Sequence, residues 1–144
     1  MIYLRFGLPE HGWLPVNFES NGFKLQFDAS DVPINPLDEL CSALIIALQG
    51  GSAEMSWHLE PAWYYFKFEV VDVDKEITLI ILESENSCSK SDEKFRLTGS
   101  YKAIILPFYR ALKSIHAGEN TDNWPIMDSA KIEKLTAVVK ALNK

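Results

Sequence analysis

The chain has 144 residues, 47% of them hydrophobic and 24% charged, with a formal net charge of −6. A chain of this length buries about 70% of its unfolded surface on folding, which predicts one domain without disulfide or metal staples, and no apolar run nears the roughly 18 residues of a membrane span. Its charges are segregated: residues 1–93 hold 16 acidic against 5 basic side chains, and residues 94–144 hold 4 against 9.

The first thirty residues read as strands. Ile2, Leu4 and Phe6 alternate with Tyr3 and Arg5, and Phe23, Leu25 and Phe27 alternate with Lys24, Gln26 and Asp28, so each segment buries one face. Between them, Trp13 to Phe18 reads as a strand with Pro15 inside it. Proline removes a ladder donor, which points to an edge position. Ser20-Asn21-Gly22 supplies residues suited to positive φ in a turn, and an antiparallel meander is the simplest arrangement.

A helix over 36–49 follows. Asn35 can cap it, Pro36 suits the first helical position, and Leu37, Leu40, Cys41, Leu44, Ile45 and Leu48 recur at helical spacing up to Gly50-Gly51. Asp38 and Glu39 fall in the first turn, where carboxylates complement the helix dipole. Three strands are predicted next, at 53–59, 63–72 and 76–83, with Asp72 to Lys75 as a hairpin turn. Ile77 to Leu82 is apolar at nearly every position, so that strand belongs in the sheet centre, covered on both faces.

Residues 84–93, SENSCSKSDE, offer no large apolar side chain to offset the entropy of ordering and read as a flexible loop. Phe95 and Leu97 resume a short strand. A helix over about 100–116 contains Pro107, which predicts a kink there or a later helix start. Ala117 to Met127 reads as a loop anchored by Trp124 and Pro125, and Asp128 or Ser129 caps a last helix over 128–143. The resulting fold class is α+β: a single domain with a mostly antiparallel sheet of six to seven strands packed with three helices.

Motifs for chemistry are sparse. His11, His58 and His116 are isolated and no C-x-x-C occurs, so neither a metal nor a cofactor is predicted. His58 and Glu60 have the spacing to project together from a strand as an acid–base pair, but a working pair also needs a pocket and a positioned third group, and a solvated strand face is the simpler account. Cys41 lies on the apolar helical stripe and Cys88 in the polar loop. That usage suits a reduced compartment better than a disulfide framework, and with no signal-peptide pattern in MIYLRFGLPEHGW a cytoplasmic location is expected. The acidity of the first two-thirds argues against direct nucleic-acid binding. Lys131, Lys134, Lys140 and Lys144 suit the exposed side of the last helix, or the acidic region of a second copy in a homodimer.

Trp57, Trp63, Tyr64, Tyr65, Phe66 and Phe68 crowd into twelve residues. A strand cannot bury them all on one face, and Trp63 with Tyr65 falls opposite Tyr64 with Phe66. Packing under a helix is the commoner fate of each ring, while an exposed aromatic patch near carboxylates would suit a basic protein partner.

Residues 13–83, about half of the chain, carry Phe27-Asp28-Ala29-Ser30-Asp31-Val32-Pro33, then Asn35-Pro36-Leu37 opening a helix with Leu40, Leu44 and Leu48, then Trp57-His58-Leu59-Glu60-Pro61 and an aromatic strand. This stretch resembles small bacterial cytoplasmic immunity proteins of contact-dependent growth inhibition and other polymorphic toxin systems. The resemblance implies a non-enzymatic antitoxin that blocks a cognate toxin domain, commonly a basic nuclease, and it carries no catalytic residues. Joined to the charge pattern, it makes Asp28, Asp31, Glu54, Trp57, Glu60, Trp63, Asp72 and Asp74 the expected partner contacts. The alternatives are a small-molecule-binding domain, an enzyme of unknown reaction, or a structural homodimer.

Overall fold

A computed structural model describes residues 1–32, 34–70, 76–85, 91–117 and 128–142. In chain order these form β1 (Ile2–Phe6), β2 (Trp13–Ser20), β3 (Phe23–Ser30), α1 (Pro36–Leu48), β4 (Ala53–His58), β5 (Trp63–Val70), β6 (Glu76–Ser84), β7 (Asp92–Ser100), α2 (Tyr101–Ala117) and α3 (Ser129–Leu142). The fold is α+β, and its seven antiparallel strands divide into two sheets, β1-β2-β3 and β4-β5-β6-β7.

Local chemistry explains the element ends. Asn21 and Gly22 both have positive φ, 51° and 85°, and join β2 to β3 in the two-residue turn whose twist matches the strands. Asn35 caps α1, its Oδ1 accepting the Leu37 N–H at 3.0 Å. At the other end Gly50 takes φ 95°, and the N–H groups of Gly51 and Gly50 close onto the carbonyls of Ile46 and Ala47 in a Schellman cap. Asp128 caps α3 through the Ala130 N–H at 2.9 Å.

Two expectations are corrected and one alternative is settled. Pro15 sits in β2, the central strand of its sheet, not on an edge. Its carbonyl accepts the Gly7 N–H at 2.9 Å, and in an antiparallel ladder the return bond would need the N–H that proline lacks, so β1 ends at Phe6 where the ladder can no longer run. Pro107 lies inside α2, which starts at Tyr101, so it does not mark the helix start. And β7 begins at Asp92 rather than Phe95, because Asp92 and Glu93 pair with Glu83 and Leu82 across a register shift. The loop between β6 and β7 is correspondingly shorter than 84–93, and residues 86–90 within it, including Cys88, lie outside the described residues. So do the β5–β6 turn at 71–75 and the segment 118–127 with Trp124 and Pro125.

One core joins both sheets and all three helices. Phe18 of β2 lies edge-on to Phe66 of β5 and Phe95 of β7, at 5.9 and 5.5 Å, and Phe108 of α2 stands edge-on to Phe66 and Phe68. β6 is central, as its apolar run predicts, and Ile77 to Ile81 are all buried. On its outer side no helix is needed: Ile80 is flanked in register by Lys67 and Arg96, whose aliphatic stems can cover it. Helix α3 is tied to α2 by Tyr109 Oη on Thr136 Oγ1 at 3.2 Å and by Tyr101 Oη donating to the Leu142 carbonyl at 3.0 Å.

Candidate functional site

The outer face of the second sheet gathers the residues that read as partner contacts most directly. Alternation along β5 turns Phe66 and Phe68 into the core and leaves Trp63 and Tyr65 half-buried on the outside. His58, the last residue of β4, is the cross-strand neighbour of Trp63. Its ring stacks on Trp63 with centroids 4.1 Å apart and planes 15° apart, and Tyr65 continues the row at 6.2 Å and 7°. His58 Nδ1 lies 2.8 Å from the carbonyl of Val32. A carbonyl only accepts, so this nitrogen carries the proton, and the bond fixes the imidazole plane against Trp63.

Carboxylates border this row. Glu54 is exposed on the outer face of β4, and its charge adds to burial in pushing the Tyr65 hydroxyl above its ordinary pKa. Glu60 is exposed at the β4–β5 turn with φ 56° and a cis bond to Pro61. Asp31 precedes the Val32 that holds His58. Such a surface offers aromatic faces to a cation and acids to its neighbours, a combination that suits Lys and Arg side chains.

Other expected contacts fall elsewhere. Trp57 is 0% exposed, packed against Phe6, Phe27 and Phe66, because the alternation that exposes His58 turns its neighbour inward. It is a core residue and not a surface contact. Asp28 is exposed on the outer face of β3, in the other sheet and apart from the Trp63 row. Asp72 and Asp74 lie outside the described residues. The pairing of His58 with Glu60 is also corrected: β4 ends at His58, and Glu60 sits in a left-handed turn rather than on the strand.

The first-turn acids of α1 do more than complement a dipole. Glu39 Oε1 accepts the backbone N–H of Ser56 at 2.7 Å and its hydroxyl at 3.2 Å. Asp38 Oδ1 accepts the Asp128 N–H at 2.9 Å, tying α1 to the start of α3. Neither partner is near in sequence, so no local pattern could have signalled them. Cys41 is buried, and burial together with Asp38 pushes its thiol up to about 11, which keeps it protonated and unreactive near neutral pH. Tyr64 is pushed up to about 12 by burial and a hydrogen bond to Glu83. Among the described residues no group of three or more His, Cys, Asp or Glu side chains is placed to hold a metal ion, and no helix is long and apolar enough to cross a membrane. No family model, curated protein or solved structure matches the chain.

Proposed function

We propose that the protein is a non-enzymatic immunity protein that binds and neutralises a basic toxin domain, using the His58–Trp63–Tyr65 row with Asp31, Glu54 and Glu60 as its contact surface. The observation that carries this reading is the row itself: three parallel rings on an outer sheet face, bordered by acids, with the imidazole held in place by a backbone carbonyl. Burying such rings is a large energetic term in interfaces, since Trp and Tyr are enriched among residues whose truncation costs 2 kcal/mol or more (roughly 30-fold in affinity). The net charge of −6 adds long-range attraction for a basic partner. Recognition of this kind needs a rigid scaffold, and the row stands on paired strands over a packed core.

The test is capture of a partner by the tagged chain from the cells that encode it, with mass spectrometry of what a salt wash leaves bound. A near-stoichiometric basic domain should be recovered by the wild-type chain and lost with Trp63→Ala/Tyr65→Ala. Toxin activity should return when the variant replaces the wild type in the assay. Equal capture by the variant, or capture insensitive to Glu54→Lys and Glu60→Lys, would refute this use of the face.

A further inference from the structure

A second surface, apart from the Trp63 row, has the opposite charge. A groove of about 900 Å³ runs between the first nine residues and one face of α2. Of its lining side chains Arg5, Lys102 and Arg110 are cationic and none is acidic, in a chain with an excess of acids. All three are exposed, and none forms an ion pair among the described residues. Met1, Tyr3 and Leu8, also on this groove, are 80%, 64% and 75% exposed.

The groove floor is an open sheet edge. β1 is the outer strand of its sheet. Because Gly7 pairs with Pro15 through its N–H, the odd-numbered residues Tyr3 and Arg5 turn their backbone groups to β2. Ile2, Leu4 and Phe6 therefore turn theirs away from it, towards the groove. The outer strands of the second sheet are managed differently. Glu39 occupies the edge of β4 at Ser56, and β7 carries exposed Asp92, Glu93, Lys94 and Arg96 beside an irregular register. Charges and bulges of this kind deter strand pairing. β1 has a single charged side chain, Arg5.

We propose that this groove docks an acidic, extended polypeptide segment, which adds to β1 as a fourth strand and sets its carboxylates against Arg5, Lys102 and Arg110. The open backbone row specifies a peptide. It presents donors and acceptors alternating at strand spacing, and a second backbone matches both in register, whereas a nucleic acid or a lipid headgroup has no alternating donor–acceptor row at that spacing. The cations specify the side chains. Lys102 and Arg110 are separated by about 12 Å along α2 at 1.5 Å per residue, and same-face residues four apart in a strand are separated by about 13 Å. Between the two cations the helix presents Ala103 and Pro107, so two acids four apart with a small or apolar residue midway match the wall. A second copy pairing through β1 would bring two sets of these unpaired cations together, and like charges in that position repel.

The test is selection of a random ten-residue peptide library on the full-length chain and, in parallel, on Lys102→Glu/Arg110→Glu. The wild-type chain should enrich peptides with carboxylates four residues apart. A synthetic peptide of the enriched sequence should bind at least tenfold more weakly to the variant and lose binding when alternate amides are N-methylated. Its binding should also slow hydrogen exchange at Leu4 and Phe6. Lys102→Gln/Arg110→Gln, a milder pair at the same exposed positions, should weaken binding in the same direction if the charge reversals impair folding. Enrichment of no acidic class, binding to both variants as tight as to the wild-type chain, or unchanged exchange at Leu4 and Phe6 would overturn the proposal. Binding of a single-stranded oligonucleotide without that protection would replace it with a polyanion site. A concentration-dependent dimer that protects the same amides in the free protein would replace it with self-association.

Discussion

Glu39→Ala separates a dipole role from a structural one. A carboxylate in the first turn of an exposed helix contributes about 0.3 to 1 kcal/mol through the macrodipole. Glu39 adds the Ser56 N–H at 2.7 Å, a charge-assisted bond at a half-buried site, and the weaker hydroxyl contact at 3.2 Å. Hydrogen bonds to charged groups contribute about 1.5 to 3 kcal/mol. The expected loss for Glu39→Ala is therefore about 2 to 3 kcal/mol, since these contributions share one side chain and do not simply add. With a urea slope of about 2 kcal/mol/M the unfolding midpoint falls by about 1 to 1.5 M. Glu39→Gln keeps an acceptor oxygen but not the charge, and should lose about half as much. Hydrogen exchange gives the second readout: the Ser56 amide should lose protection in Glu39→Ala while amides paired between β5 and β6 exchange as before. A loss below about 1 kcal/mol, shared equally by the Gln and Ala variants, with Ser56 exchange unchanged, would leave only the dipole and refute the edge-capping role.

Truncating the two tryptophans of the β4–β5 hairpin should have opposite effects. Trp57→Ala should cost about 3 to 5 kcal/mol of stability in urea titrations, as expected for a fully buried ring, whereas Trp63→Ala should cost about 1 kcal/mol, the stacking on His58 and Tyr65, and should weaken partner capture instead. Cys41 should resist a disulfide reagent at pH 8 in a Cys88→Ser background until the chain is unfolded. Its thiol is raised in the folded state, to about 11. That contribution to stability is present below the unfolded thiol value and lost as pH rises through the folded one, so unfolding titrations between about pH 9 and 11 should show a decline that Cys41→Ala makes shallower. Gly50→Ala should cost about 1 to 2 kcal/mol in the same titrations. A Cβ there meets nothing within 4 Å, so the whole penalty is the left-handed φ of 95°.

Periodicity made the elements legible because it depends on single segments. Alternation located β5 and the opposed faces of Trp63 and Phe66, and Asn35-Pro36 with Gly50-Gly51 bounded α1. What single segments do not contain is which strand lies beside which. Pro15 suggested an edge because it lacks a donor, yet a central strand accommodates it where the neighbouring strand stops, and that stopping point is a property of the pair. Trp57 differs. Its place beside His58 in an aromatic-rich stretch suggested a contact surface, but the alternation of Met55 and Trp57 against Ser56 and His58 within that one strand already turns it inward.

Charge segregation shows what the fold adds to composition. Along the chain, the basic excess lies after residue 93 and the acidic excess before it. In the fold the division is redrawn: Arg5, from the acidic portion, joins Lys102 and Arg110 on the β1–α2 groove, while Lys67 lies beside Glu69 at 3.6 Å on the sheet face that carries Trp63. A half-exposed pair of that kind is worth little to stability, but it lowers the local positive charge next to the aromatic row. On the proposed reading one face takes a basic partner, and a different pair of elements forms a cationic groove beside an outer strand. Reversing charge on one should leave binding at the other intact. Glu54→Lys should alter capture of a basic domain and its salt dependence without changing peptide binding at β1, and Arg110→Glu should do the converse. If either substitution disturbed both, the two surfaces would belong to one interface rather than two.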